Sequence, residues 1–175
     1  GLHKGSTQTH RSPSRAKPPL KKSPIPPFFI KYGKCCINKF ISIFVNGAFD
    51  ILHSGHLDLL DFAGMLGGHL LVAIDTDARI EYNKGIGRPF NPLSIRKHIV
   101  SMLKPVNSVA VFDTDEELVD IIRQYQPDIM VKGSDWRGKK VIGEEYCKEV
   151  VFYERTNGQS TTKIIEDFIT RRQLL

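Results

Sequence analysis

Two histidines, His53 and His56, lie three residues apart around Gly55 in the run VNGAFDILHSGH (residues 45–56), just after Asp50. The residues before the run are apolar, β-branched and aromatic, as in a buried strand. After it, Leu59, Leu60, Ala63 and Leu66 repeat at helical spacing until Gly67 and Gly68 stop the helix. The histidines therefore fall at a strand-to-helix junction. The first amides of the helix lack partners there and carry partial positive charge, so an anion fits. Two imidazoles can donate to phosphate oxygens, and Gly55 leaves the space open. The ordinary alternative for such a pair is a helix N-cap plus a surface imidazole, or part of a metal site.

Three further groups carry cations or hydroxyls. In the loop KGIGRPFNP (residues 84–92), Lys84 and Arg88 either reach over bound phosphates or are solvated surface charges. Arg96, one turn beyond, is a candidate phosphate clamp or a salt-bridge partner. KGSDW (residues 132–136) places Lys132, Gly133 and Asp135 past the end of a strand, where open α/β sheets hold their ligands. Trp136 stacks on a base or covers the sheet edge. In RTNGQSTT (residues 155–162), Ser160 caps a helix, and Arg155 with Thr161 and Thr162 makes a second anion-friendly helix start.

These groups need a scaffold. Apolar runs beginning near residues 40, 70, 109, 129 and 150 predict five buried strands separated by helical segments. That alternation predicts an α/β fold: a Rossmann-like, doubly wound five-stranded parallel sheet with helices on both faces. Asn91 is expected to cap a helix with Pro92 in its first turn and Ile95, Ile99, Met102 and Leu103 as its buried stripe. Thr114 and Glu117 form a capping box for the next helix. The last helix is expected to bury Thr161, Ile164, Ile165 and Phe168. The segment after Asp77 reads as short and polar, with no element assigned to it.

The chain has 175 residues, 41% of them hydrophobic, enough for one domain with a real core. Its net charge of +6 is unevenly placed. Residues 1–40 hold nine Lys and Arg and no acids; the other sixteen cations share the remainder with all nineteen acids, a net of −3. Residues 1–39 are expected to be a disordered basic extension and residues 40–175 the domain. The extension reads as a solvated tail, a targeting segment or a basic arm. Nucleic-acid binding would rest on that tail alone. Cys35, Cys36 and Cys147 match neither a disulfide framework nor zinc spacing, which points to a reducing compartment: cytoplasm, or an organelle matrix if the tail is a targeting segment. No apolar run is long enough to span a membrane.

The first run resembles the GxFDxxHxGH signature of the nucleotidyltransferase superfamily that includes the cytidylyltransferases. RTNGQSTT resembles the same superfamily's second signature, with Gln159 in place of the usual isoleucine. The resemblance covers roughly residues 41–172. The spacing of Lys84, Arg88, Asn91 and Arg96, with that of Lys132, Gly133 and Asp135, is similar to the nucleotidyltransferase domain of ADP-heptose synthase. Asp135-Trp136 and the complete Arg-Thr-x-Gly motif are similar to glycerol-3-phosphate cytidylyltransferase.

The resemblance implies attack by a sugar or polyol phosphate on the α-phosphorus of ATP or CTP, Mg²⁺ arriving with the nucleotide. On the heptose branch the product is ADP-heptose; the alternative product is CDP-glycerol, and a non-catalytic nucleotide-binding module is the alternative of another class. By the same analogy His53 and His56 stabilise the triphosphate and transition state, and Ser160, Thr161 and Thr162 hold the β and γ phosphates. Lys84, Arg88, Arg96 and Arg155 surround the leaving group and the acceptor phosphate. Gly47, Ala48, Phe49, Asp50, Gly55, Lys132, Gly133 and Asp135 contact the nucleotide. Asp50 or Asp135 holds Mg²⁺ or orients a histidine, with no metal ligand assigned for certain. A homodimer is also implied.

Overall fold

A computed structural model describes residues 41–154 and 161–172. Five strands, β1 (Ser42–Gly47), β2 (His69–Asp75), β3 (Ser108–Phe112), β4 (Ile129–Gly133) and β5 (Glu149–Tyr153), pair in the order β3-β2-β1-β4-β5, all parallel. The helices are α1 (Ser54–Met65), α2 (Asp77–Lys84), α3 (Leu93–Ser101), α4 (Asp115–Tyr125) and α5 (Thr161–Arg172). This is the doubly wound sheet expected from the alternation of apolar runs. The central strands are continuously apolar because neither face meets water: Ile43, Phe44 and Val45 of β1 and Ile129, Met130 and Val131 of β4 are buried. Phe44, Leu71, Phe112, Leu118, Ile122 and Met130 make one core cluster, and each contributes about 1.5–3 kcal/mol by leaving water.

Strand order reverses at β1. The strand pairs with β2 along its whole length, to Gly47 opposite Ile74. With β4 it pairs only through Ile43 opposite Ile129 and Phe44 opposite Met130. Beyond Phe44 the two central strands no longer share a ladder, so a crevice opens at their C-terminal ends. The other end is pinned: Asp128 accepts from the Ser42 amide at 2.9 Å and its hydroxyl at 3.0 Å, and also holds Lys148. Burial alone would raise the Asp128 carboxyl, but Lys148 and the two Ser42 groups outweigh it and bring it down to about 2.

Local signals account for most boundaries. Gly67 and Gly68 end α1 with positive φ, and a Cβ on Gly68 would lie 1.8 Å from the Ile41 carbonyl oxygen, so only glycine fits. The capping box of α4 is present: the Glu117 amide donates to Thr114 Oγ1 at 3.2 Å, and the Glu117 carboxylate accepts from the Asp113 amide at 2.7 Å.

Two expectations are corrected and one helix is added. The polar segment after Asp77, to which no element was assigned, is a helix capped by Thr76, whose side chain accepts from the Arg79 amide; only Ile80 of α2 is buried, so no periodic stripe announced it. Pro92, not Asn91, is the N-cap of α3, and the helix turns Arg96 and Val100 inward while Ile95, Ile99 and Met102 are exposed. On α5, Thr161 is buried but Phe168 is exposed.

Candidate active site

The crevice between β1 and β4 deepens into a cleft of about 630 Å³, lined by the ends of β1, β2 and β4 and the starts of α1 and α5. That is a ligand-sized volume at a topological switch point.

The turn after β1 brings three rings together. Phe49 is buried at φ 45, in the left-handed region that phenylalanine rarely adopts. Its ring tilts against His56 with centroids 5.3 Å apart, and His56 stacks on His53 at 3.9 Å. His53 is the N-cap residue of α1, its carbonyl accepting from the His56 and Leu57 amides. His56 lines the cleft, together with Gly47 and Ala48; His53 is buried in the ring stack; Gly55 lies in the first turn of α1.

α5 starts beside this turn. Thr161 lines the same cleft, and its hydroxyl donates to the Ile51 carbonyl at 3.4 Å. Thr162 is exposed at the same helix start. The two helix N-termini, about one hundred residues apart in sequence, therefore meet at one cavity. Arg155 and Ser160 lie outside the described residues.

Lys132 rises from β4 into the gap. It is 5% exposed, its ammonium donates to Asn46 Oδ1 at 2.6 Å, and it sits 4.7 Å from the centroid of the Trp136 ring. Burial pushes it down to about 8, against the pull of Asp75 and Asp135. Gly133, Asp135 and Trp136 line the cleft beside it. Lys84 closes the opposite side from the end of α2, its ammonium lowered first by desolvation and then by Arg88.

Asp50 and the two expected clamp arginines have other partners. Asp50 Oδ2 accepts from Arg88 Nε at 3.1 Å and the Phe90 amide at 3.0 Å, and Asp50 Oδ1 accepts from the Asn91 amide at 2.9 Å. Its carboxylate fixes the 88–91 loop, and Asp50 also lines the cleft. Arg88 is held against that carboxylate, at 3.0 Å from Nη2.

Arg96 is 1% exposed and does not reach the cleft. Its guanidinium donates to the carbonyls of Asn91 (3.0 Å), Ala48 (2.6 Å) and Asp75 (2.8 Å) and to Asp77 Oδ1 (2.7 Å). Four of its five N–H groups are thus engaged by the protein's own scaffold. It ties the turns after β1 and β2 to the starts of α2 and α3.

Asn46, Asp75 and Arg79 also line the cleft, although no motif singled them out. Their signal was position: Asn46 and Asp75 end strands at the switch-point side of the sheet. Arg79 is occupied by Asp75 at 2.9 Å and by the Asp113 carbonyl at 3.1 Å, and it also pairs with Asp115.

The cytidylyltransferase-like family model matches residues 44–167, the described domain almost end to end. Among curated relatives, the bifunctional protein HldE of Nitratiruptor sp. is 43% identical over 126 residues, covering 71% of this chain and 27% of the relative. The protein of the same name from Campylobacter fetus is 42% identical over 123 residues, covering 70% and 27%. The chain thus spans about a quarter of the length of these relatives. The solved lipopolysaccharide core biosynthesis protein of Thermoplasma volcanium shares the fold, with a TM-score of 0.57 at 24% identity, covering 68% of this chain and all of that one.

Proposed function

The chain belongs to the cytidylyltransferase-like family, and on that premise we propose that it is a nucleotidyltransferase joining a nucleoside triphosphate to a sugar phosphate. A phosphate oxygen of the acceptor attacks the α-phosphorus. The new oxygen–phosphorus bond forms as the bond to the β-phosphate oxygen breaks, and pyrophosphate leaves. The acceptor phosphate is already ionised near neutral pH, so no general base is required. What the protein supplies is positioning and positive potential.

One observation carries the reading: the starts of α1 and α5 converge on a cleft that also contains Lys132 and Lys84. His56, stacked on His53, faces the triphosphate; Thr161 and Thr162 serve its outer phosphates; Lys84 and Lys132 neutralise charge as it moves to the leaving group. Arg155 and Ser160 are assigned to the same anion by their motif. Mg²⁺ enters on the triphosphate; among the described residues no three His, Cys, Asp or Glu side chains cluster to bind an ion by themselves.

The heptose branch is favoured. The relatives are bifunctional proteins HldE, and the 84–96 loop follows the ADP-heptose synthase pattern. The proposed reaction is adenylyl transfer to D-glycero-β-D-manno-heptose 1-phosphate. Trp136, in the cleft beside Lys132, supports the second reading, cytidylyl transfer to glycerol 3-phosphate. Pyrophosphate release with Mg²⁺, crossing ATP and CTP against the two acceptors, separates them. Release with ATP and the heptose phosphate supports the first and release with CTP and glycerol phosphate the second; none from any pair refutes both.

The active form is proposed to be a homodimer. Ile95, Ile99 and Met102 follow one another at helical spacing on the exposed side of α3, an apolar surface suited to a second copy.

A further inference from the structure

We infer that Asn46 is the positioning residue of this cleft: its side-chain oxygen fixes the Lys132 ammonium where β1 and β4 part, aimed at a phosphate of the bound nucleotide. The inference rests on the nucleotidyltransferase reading for its ligand, and on geometry for everything else. Continuing the β1–β4 register past Phe44 and Met130 would set Asn46 opposite Lys132. No ladder forms there, and the link between the strands is instead the 2.6 Å hydrogen bond from Lys132 Nζ to Asn46 Oδ1. The Trp136 ring covers the ammonium on another side, at 4.7 Å. An ammonium has three protons. With one on Asn46 and one face on indole, a donor direction remains for the cleft that both residues line.

Neutral Asn46 suits this task. A carboxylate there would keep the ammonium for itself, and an apolar residue would leave it without an acceptor in a buried site. The other charged groups of the cleft leave the role open. Asp75 is engaged by Arg79, Asp50 by Arg88 and Asp115 by Arg79. Asp135, Lys84 and His56 line the cleft beyond the Lys132–Asn46 pair. Burial, only partly offset by the charges of Asp75 and Asp135, brings the Lys132 ammonium down to about 8, and bound phosphate would raise it.

Trp136 is the chain's single tryptophan and reports on the ammonium directly. Its emission in the full chain without ligand is expected to titrate with a midpoint near 8. Lys132→Met should erase that transition; a transition retained near pH 8 would show that the ring does not report on Lys132 and would overturn the reading. Asn46→Asp should move the midpoint up, and Asn46→Leu should move it down, each by about one unit. A residue that merely filled space would alter the melting temperature without moving the midpoint in opposite directions. With Mg-ATP and Mg-CTP as probes, wild-type affinity should fall about tenfold between pH 7 and pH 9.5, and in Asn46→Leu the same fall should be complete about one pH unit lower, near pH 8.5, the scale of one charge-assisted hydrogen bond. Adenosine, lacking phosphate, should show no such fall.

An unmoved emission midpoint in both Asn46 variants overturns the positioning role whatever the enzyme does. Opposite shifts with no nucleotide bound at any pH sustain the positioning role and remove its phosphate ligand, and the nucleotidyltransferase reading with it.

Discussion

Replacing Arg96 by methionine separates a phosphate clamp from a structural tie. Methionine keeps most of the aliphatic stem, so little cavity forms and the loss is almost all hydrogen bonding. Three backbone carbonyls, of Asn91, Ala48 and Asp75, lose their donor at a site that is 1% exposed. Each buried acceptor left alone costs about 1–3 kcal/mol. Asp77 is 46% exposed at its side chain and rehydrates, so it adds little. Taking the low end for carbonyls that relax toward water, the loss is about 3–5 kcal/mol. For a domain of this size that lowers the melting temperature by roughly 10–15 °C. Arg96→Lys should recover part of the loss, because an ammonium can reach some of the acceptors but lacks the planar fork that spans them. Thermal and urea unfolding of the three proteins is the assay. A clamp predicts the converse: unchanged melting and weaker binding of the acceptor phosphate. If Arg96→Met melts with the wild type, the assignment of Arg96 to the scaffold is wrong.

Three other outcomes are expected. His56→Ala should lower turnover about a hundredfold, the effect of losing one preorganised donor to the transition state, while stability falls only by about the 1 kcal/mol of its ring contacts; near wild-type turnover would remove His56 from the chemistry. Asp128, held at about 2 when folded against 3.8 when free, contributes about 2 kcal/mol that is fully present above pH 4 and lost as pH falls toward 2. Asn at that position should therefore weaken the fold near neutral pH and flatten its acid limb, and an acid-unfolding curve parallel to the wild type would exclude the linkage. Ile99→Asp should shift the light-scattering mass in solution from two copies to one without lowering the monomer's helix content; a mass unchanged by the substitution would show that this face is not the interface.

What could be read from the sequence divides along a physical line. The strands were legible because a doubly covered sheet demands unbroken apolar runs, and Ile129 to Val131 has little other use. The α4 capping box was legible because Thr114 and Glu117 act within one turn. The convergence of the α1 and α5 starts was legible from the two anion-friendly motifs and the doubly wound sheet together, and Thr161 beside the Ile51 carbonyl is the contact that realises it. The α2 helix was not legible: Ile80 is its one buried residue, and its start depends on a single hydroxyl, that of Thr76.

The arginine-bearing helix α3 was read with the wrong face inward, and the reason bears on the site itself. Its apolar residues Ile95, Ile99 and Met102 form a proper stripe, and by hydrophobicity alone that stripe belongs in the core. The side next to it carries Arg96 and Val100. Which side turns in is decided by what waits beneath. There, the turns that shape the cleft present three backbone carbonyls that no secondary structure satisfies. A buried carbonyl without a donor is costly, and one guanidinium answers all three while also meeting Asp77. The need for a donor therefore overrides the apolar stripe, and Arg96 is buried because the irregular backbone of an active site requires it. Within one copy the described residues leave Ile95, Ile99 and Met102 exposed, so the same hydrogen-bond demand that builds the cleft also makes the surface proposed to pair two copies.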